Sequence, residues 1–259
     1  MPRPLHVHPT LNKGYGWKPG LPSQSHPLYT ARVEAAALPP SVDLRPHCPA
    51  VYDQGQLGSC TGNGWAGAVE FLRLKQGLTD YAPSRLFIYY NERVMDNDVS
   101  TDAGASISDG AHVVSTQGCP NETEWPYDIT KFADQPPANV YADGLQHLAL
   151  QVQQVSQDLT SMKEVLADGL PIVIGFTVYP SFESQQVAQT GIVPMPGHHE
   201  QPVGGHCVVV VGYDDSHKRF IMRNSWGTGW GLQGYFMMPY TYLTNPRLAS
   251  DFWMATKTE

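Results

Sequence analysis

Hydrophobic positions along this chain change their period about halfway. In the first half they recur at helical spacing. Leu86, Phe87, Tyr90 and Val94 fall on one face of a helix that Pro83-Ser84 opens and that runs through Arg93. An earlier helix begins beside Cys60, with Ser59 as its N-cap, and Gly77 ends it. Ser106 caps a third helix over 109–117, closed by Gly118, and the chain past Trp125-Pro126-Tyr127 reads as loop to about Asp143. In the second half, after a helix near 160–168, apolar runs at 171–178, 203–213, 218–224 and 234–238 read as strands. Helices first and strands later give an α+β chain of two lobes, divided at about 41–145 and 146–259.

Residues 1–40 fit neither pattern. They hold eight prolines, and Arg3, Lys13, Lys18 and Arg32 against Glu34 give them a net charge of +3. The whole chain carries −8, so the other 219 residues carry −11. Such an arm has no core of its own, so it either floats or lies along the body as an extended strip. Opposite charge favours docking, with Trp17, Leu21, Leu28 and Tyr29 as anchors, and a position near the cleft would make it a short propeptide-like segment.

The acidic body speaks against nucleic acid or an anionic membrane as partner. No apolar run approaches the ~20 residues of a membrane helix, and the N-terminus shows no signal segment, so a cytoplasmic setting is the default expectation. His6 with His8, and His198 with His199, have no third ligand near them and read as surface histidines. No metal or other cofactor is expected.

Chemistry enters at the loop-to-helix stretch Gln54-Gly55-Gln56-Leu57-Gly58-Ser59-Cys60-Thr61. A cysteine at a helix N-terminus meets the positive end of the peptide dipoles, which favours its thiolate. Far downstream, His206 enters the valine strand of Gly204-Gly205-His206-Cys207-Val208, and Asn224 ends the strand before Ser225-Trp226-Gly227. A cysteine followed at long range by a histidine and an asparagine is a nucleophile, base and orienter arrangement.

Gln54, Gly58-Ser59-Cys60, Gly205-His206 and the run from Asn224 to Gly231 resemble the signature of papain-like cysteine peptidases, and most closely their compact, xylellain-like bacterial branch. The resemblance covers about 42–253. It implies a helical lobe carrying Cys60, an antiparallel β lobe carrying His206 and Asn224, and a cleft between them. Cys60 would attack, His206 would stabilise the thiolate and later protonate the leaving amine, and Asn224 would fix the imidazole tautomer. Trp226 would shield that bond, and Gln54 with the Cys60 N–H would hold the oxyanion. Leu57 and Thr61 stand where the family has a cysteine and an aromatic, so the loop lacks that family's disulfide. Cys48 and Cys119 stay free or form one bridge, and Cys207 packs as a small apolar residue.

The same resemblance implies that Gly104, Ala105 and Ser106 pair with the backbone of a peptide or protein substrate beside its second residue. Gly204, Gly205, Cys207 and Gly175 would line the pocket below. Small lining residues, with no acidic residue placed there by the sequence, suggest a medium or large apolar side chain. A protein inhibitor is a further partner the family implies. Two other functions remain open on the sequence: an acyl transferase or peptide ligase using the same acyl-thioester, and a non-catalytic binding module on this fold.

Overall fold

The protein is described here from a computed structural model, which covers residues 13–20, 26–32, 34 and 37–259. In chain order, strands β1 (Leu28–Tyr29) and β2 (Ser41–Asp43) precede helices α1 (Cys60–Lys75), α2 (Arg85–Met95), α3 (Ile107–Thr116) and α4 (Ala138–Gly144). Strands β3 (Ala149–Leu150) and β4 (Gln153–Val155) lead to α5 (Leu159–Ala167), β5 (Ile172–Val178) and α6 (Gln185–Thr190). The chain ends with β6 (Gly204–Asp214), β7 (Arg219–Arg223), β8 (Tyr235–Pro239), α7 (Tyr240–Leu243), β9 (Ala249–Met254) and β10 (Lys257–Thr258).

The helical and β halves fall where the periodicity puts them. Ser84 and Ser106 cap α2 and α3 by accepting from Phe87 N and Asp109 N. Ser59 sits at the N-cap position of α1 without capping it: its hydroxyl is taken by Tyr127 and by the Asn63 amide. Val94 is half exposed, so the buried face of α2 is narrower than its apolar pattern. The expected loop up to Asp143 contains α4, which buries only Val140 and Gly144 and so leaves little apolar signal.

The sheet runs in the order β1-β4-β9-β5-β6-β7-β8, with β2 also paired to β6. Strand β9, unforeseen from the sequence, lies in the middle of it. Pairing of Ser41 with Asp214 also crosses the simple division at residue 145, since β2 belongs to the sheet. One continuous apolar core joins the two halves. Helix α1 lies against β5 and β6, and Gly64 permits the approach: a Cβ there would stand 2.9 Å from Cys207 Sγ. Among the described residues no helix is long and apolar enough to cross a membrane, and all four cysteines are free.

Candidate active site

Cys60 opens α1, and the backbone N–H of Cys207, the residue after His206, favours its thiolate. His206 and Asn224 lie on adjacent β6 and the end of β7. His206 Nε2 is 2.8 Å from Asn224 Oδ1, which also accepts from Ser225 N at 2.8 Å. Because Oδ1 is an acceptor in both bonds, Nε2 carries the proton and Nδ1 holds a lone pair. Nδ1 is buried and has no hydrogen-bond partner among the described residues. The Trp226 ring stacks on the imidazole at 4.9 Å and 28°.

Gln54 is held by both lobes. Its backbone N–H donates to Ser225 O at 2.9 Å, its Oε1 accepts from Ser225 Oγ at 2.6 Å, and Gly227 N donates to Tyr52 O at 2.8 Å. These bonds tie the loop before Cys60 to the loop after Asn224. The Gln54 amide is therefore aimed and has Nε2 left to donate. Asp102 braces the same loop by accepting from Gly58 N through both oxygens.

The cleft is filled by the arm. Gln54 Nε2 donates to the Gly14 carbonyl at 3.0 Å. The Tyr15 ring packs edge-on to His206 at 5.5 Å, and the Gly16 N–H lowers the pKa of the Cys60 thiol. Ala105 N donates to Gly16 O at 2.8 Å and Lys18 N to Ala105 O at 2.9 Å, a parallel pairing on the ridge of Gly104, Ala105 and Ser106. Trp17 N donates to Gly205 O at 3.0 Å, and its indole lies on the open floor at Gly175, where a Cβ would stand 2.0 Å from the ring. Gly204 faces the Tyr15 ring. The residues named from the sequence as ridge and pocket, Cys207 apart, line one trough, and residues 13–20 lie in it. Cys207 alone departs from that set, since its thiol points away under α1 toward Gly64.

Trp17 and Tyr29 are buried anchors, Leu28 is exposed, and Leu21 lies outside the described residues. The sequence reading missed Tyr15, which is 1% exposed and donates to Glu183 Oε1 at 3.0 Å. Gly14 and Gly16 around it were the available signal. Charge complementarity is realised in Lys13 with Asp53 and Lys18 with Asp96. Such pairs contribute about 0.2–1 kcal/mol where exposed, whereas a buried large side chain contributes about 1.5–3. The aromatics do most of the holding. Further along, β1 adds to the sheet edge at β4, with Leu28 opposite Gln154.

Coverage changes the electrostatics expected of this pair. Burial pushes the Cys60 thiol up to about 12, although the N–H groups of Cys207, Gly16 and Thr61 pull it down. Burial also brings the His206 imidazole down to about 4, opposed by its bond to Asn224. The thiolate expected at the helix terminus is therefore not the state of the covered site. Desolvation outweighs the dipole while the arm is in place.

A second correction concerns the pocket. Asp251, on β9, accepts from the Trp17 indole N–H at 3.0 Å and from Gly20 N at 2.7 Å, both at Oδ2. Burial raises its pKa and those two bonds lower it. An acidic residue does reach the pocket, contrary to the sequence reading. Among the described residues no group of three or more His, Cys, Asp or Glu side chains is placed to hold a metal.

A buried cysteine, a histidine fixed by an asparagine and a glutamine amide facing a peptide carbonyl define a thiol peptidase centre between a helical and a β lobe. Residues 38–251 match the model for the papain family cysteine proteases. An uncharacterized peptidase C1-like protein of Acanthamoeba polyphaga mimivirus is 42% identical, over 87% of this chain and 77% of its own. The crystal structure of xylellain, a cysteine protease from Xylella fastidiosa, superposes with a TM-score of 0.89 at 39% identity, covering 96% and 97% of the two chains. Digestive procathepsin L 3 of Tenebrio molitor shares the fold with a TM-score of 0.72 at 22% identity, covering 96% of this chain and 77% of its own. The chain belongs to the papain family of cysteine proteases. It is a papain-type cysteine peptidase, a hydrolase of peptide bonds.

Proposed function

We propose that Cys60, His206, Asn224 and Gln54 carry the hydrolysis and that residues 13–20 hold the enzyme closed. When the arm leaves, water and substrate replace the dry contacts of Tyr15 and Gly16, and the desolvation that keeps Cys60 protonated is relieved. The thiol proton passes to Nδ1 of His206, the nitrogen left with a lone pair by the Asn224 bond. The thiolate sulfur then forms a bond to the substrate carbonyl carbon, and the oxyanion is held by Gln54 Nε2 and the Cys60 N–H. Collapse expels the amine, which takes the proton from His206. Water, deprotonated by the same imidazole, cleaves the resulting thioester and restores the thiol.

The observation that carries this reading is the Gly14 carbonyl on the Gln54 amide, six residues before Cys60. A peptide carbonyl already occupies the donor that the reaction needs. The arm occupies the substrate trough without docking far from it, which supports gating over a purely bracing role for 13–20. The strand at 28–29 supports a bracing role for the rest. The test is hydrolysis of short peptide amides by the full chain, by Cys60→Ala and by the arm variant Tyr15→Ala/Trp17→Ala. Turnover that rises in the arm variant and disappears with Cys60→Ala supports both parts. Equal turnover with and without Cys60 defeats the catalytic assignment.

A further inference from the structure

Leu57 and Gly58 share one peptide group, and its two ends are held by different parts of the molecule. The carbonyl end, Leu57 O, accepts from Gln54 Nε2 at 2.9 Å. The N–H end, Gly58 N, donates to both carboxylate oxygens of Asp102, at 3.1 and 3.0 Å. The trans peptide group is planar and sends its N–H and C=O in opposite directions. Fixing the N–H on Asp102 therefore aims the carbonyl at the Gln54 amide.

Asp102 is in turn tied to the ridge of Gly104, Ala105 and Ser106. Tyr89, on α2, donates its hydroxyl to Asp102 Oδ1, and the same hydroxyl accepts from Gly104 N at 3.1 Å. Burial first, and then the Asp102 charge, lifts the Tyr89 hydroxyl well above its ordinary pKa, so it stays a donor. Arg93, one turn further along α2, holds the segment before Asp102 by donating to Val99 O at 2.9 Å and Thr101 O at 3.0 Å. Ridge, Asp102 and the loop before Cys60 thus form one hydrogen-bonded unit, in a chain whose cysteines are all free.

We propose that Asp102 is a positioning residue for the hydrolysis. It aims the Gln54 amide through the Leu57–Gly58 peptide and, through Tyr89, fixes that amide at a set distance from the ridge. A substrate whose backbone pairs with Ala105 then brings its scissile carbonyl to the amide in register. The arm displays this spacing: its Gly16 carbonyl and Lys18 N–H pair with Ala105 while its Gly14 carbonyl reaches Gln54 Nε2. A carboxylate suits the position because both of its oxygens only accept. Asparagine replaces one of them with an NH₂ group, which then faces either the Gly58 N–H or the Tyr89 O–H, donor against donor. This inference rests on Gln54 being the oxyanion donor, as proposed above.

The experiment uses the full chain carrying Tyr15→Ala and Trp17→Ala to open the trough. Into it go Asp102→Asn, Tyr89→Phe and Gln54→Ala singly, and Asp102→Asn together with Gln54→Ala. With a short peptide amide as substrate, Asp102→Asn lowers kcat by about 10–100-fold, the cost of about 1 Å of misplacement, and leaves KM within about threefold. Tyr89→Phe, which removes a single hydroxyl, lowers kcat in the same direction with KM equally steady. Once Gln54 is alanine, Asp102→Asn costs at most about threefold more, because the group it aims is gone. Iodoacetamide alkylation of Cys60, which needs no oxyanion donor, stays within about twofold in Asp102→Asn. Losses that multiply with Gln54→Ala, alkylation that falls in step with kcat, or an unchanged kcat in Asp102→Asn or Tyr89→Phe overturn the assignment. Binding of the peptide of residues 13–20 is measured in parallel by calorimetry on Cys60→Ala versions of the same chains. Asp102→Asn weakens that peptide by about fivefold or more while Gln54 is present, and not after Gln54→Ala. No turnover in any chain, with this pattern in binding, leaves the positioning by Asp102 standing and sinks the catalytic reading. Equal binding with Asp102 and with Asp102→Asn sinks the positioning.

Discussion

The Gly14 carbonyl oxygen lies 3.0 Å from Nε2 of Gln54, a contact between the arm and the loop that leads into Cys60. The same amide also donates to Leu57 O at 2.9 Å. On the function proposed above, Gln54 has two roles with opposite effects on activity: it tethers the arm in the closed state and stabilises charge in the open one. Substitution by alanine separates them. Turnover of a peptide amide falls by about 10²–10³, the usual cost of one oxyanion donor. Alkylation of Cys60 becomes faster, because the tether is gone. If both rates fell together, Gln54 would be acting on the thiol alone.

The tautomer of His206 is set by Asn224 Oδ1, which is committed as acceptor by Ser225 N. His206→Ala removes the proton carrier and costs about 10⁴ in turnover, near the upper end for general acid–base groups. Asn224→Ala leaves the imidazole in place under Trp226 and costs about 10², near the lower end. Steady-state kinetics on the Tyr15→Ala/Trp17→Ala background measures both. Equal losses would mean that orientation by Asn224 is indispensable.

Cys60, His206, Asn224 and Gln54 were legible as a candidate set because each stands in a short local pattern: Gly58-Ser59-Cys60, Gly205-His206, Asn224-Ser225-Trp226 and a glutamine six positions before the cysteine. What was not legible depends on long-range pairing. Asp251 enters the pocket only because β9 inserts between β4 and β5 and bulges there, and Ala249–Met254 does not alternate in a way that announces a strand. The covered, neutral thiol was missed for the same reason. Local sequence places Cys60 at a helix terminus, but the burial that overrides the dipole is a property of the assembled fold.

Glu92 gives the folded state a pH dependence of its own. It is fully buried, one oxygen accepts from Thr61 Oγ1 at 2.6 Å, and the other has no partner among the described residues. Burial lifts its carboxyl from the ordinary 4.5 to about 8. The folded chain therefore holds a proton that the unfolded chain has lost between those values. Its contribution is complete below about pH 4.5 and fades as pH rises through about 8. Glu92→Gln keeps the Thr61 bond and removes the titration. Its melting temperature exceeds that of the parent at pH 8 by about 3–6 °C, or about 1–2 kcal/mol, and the gap closes at pH 5. A gap of equal size at both pH values would assign the effect to packing.

Tyr15 and Trp17 hold the arm by burial, whereas β1 fastens the following segment to the sheet edge independently. Replacing both aromatics by alanine in the full chain raises kcat/KM for a small peptide amide at least tenfold. The melting temperature falls by about 5–10 °C, in keeping with the loss of two buried aromatics. Unchanged turnover with a larger fall in melting temperature would reduce residues 13–20 to a brace.

On the function proposed above, the arm keeps Cys60 a covered, neutral thiol and its departure creates the reactive one. Mass spectrometry after iodoacetamide treatment at pH 6 measures this at the residue itself. In the full chain, Cys60 is modified no faster than Cys48, Cys119 or Cys207. In the Tyr15→Ala/Trp17→Ala chain, Cys60 alone is modified at least tenfold faster, and His206→Ala on that background abolishes the gain. Rapid, selective labelling of Cys60 in the unaltered chain would mean that the arm does not hold the thiol closed.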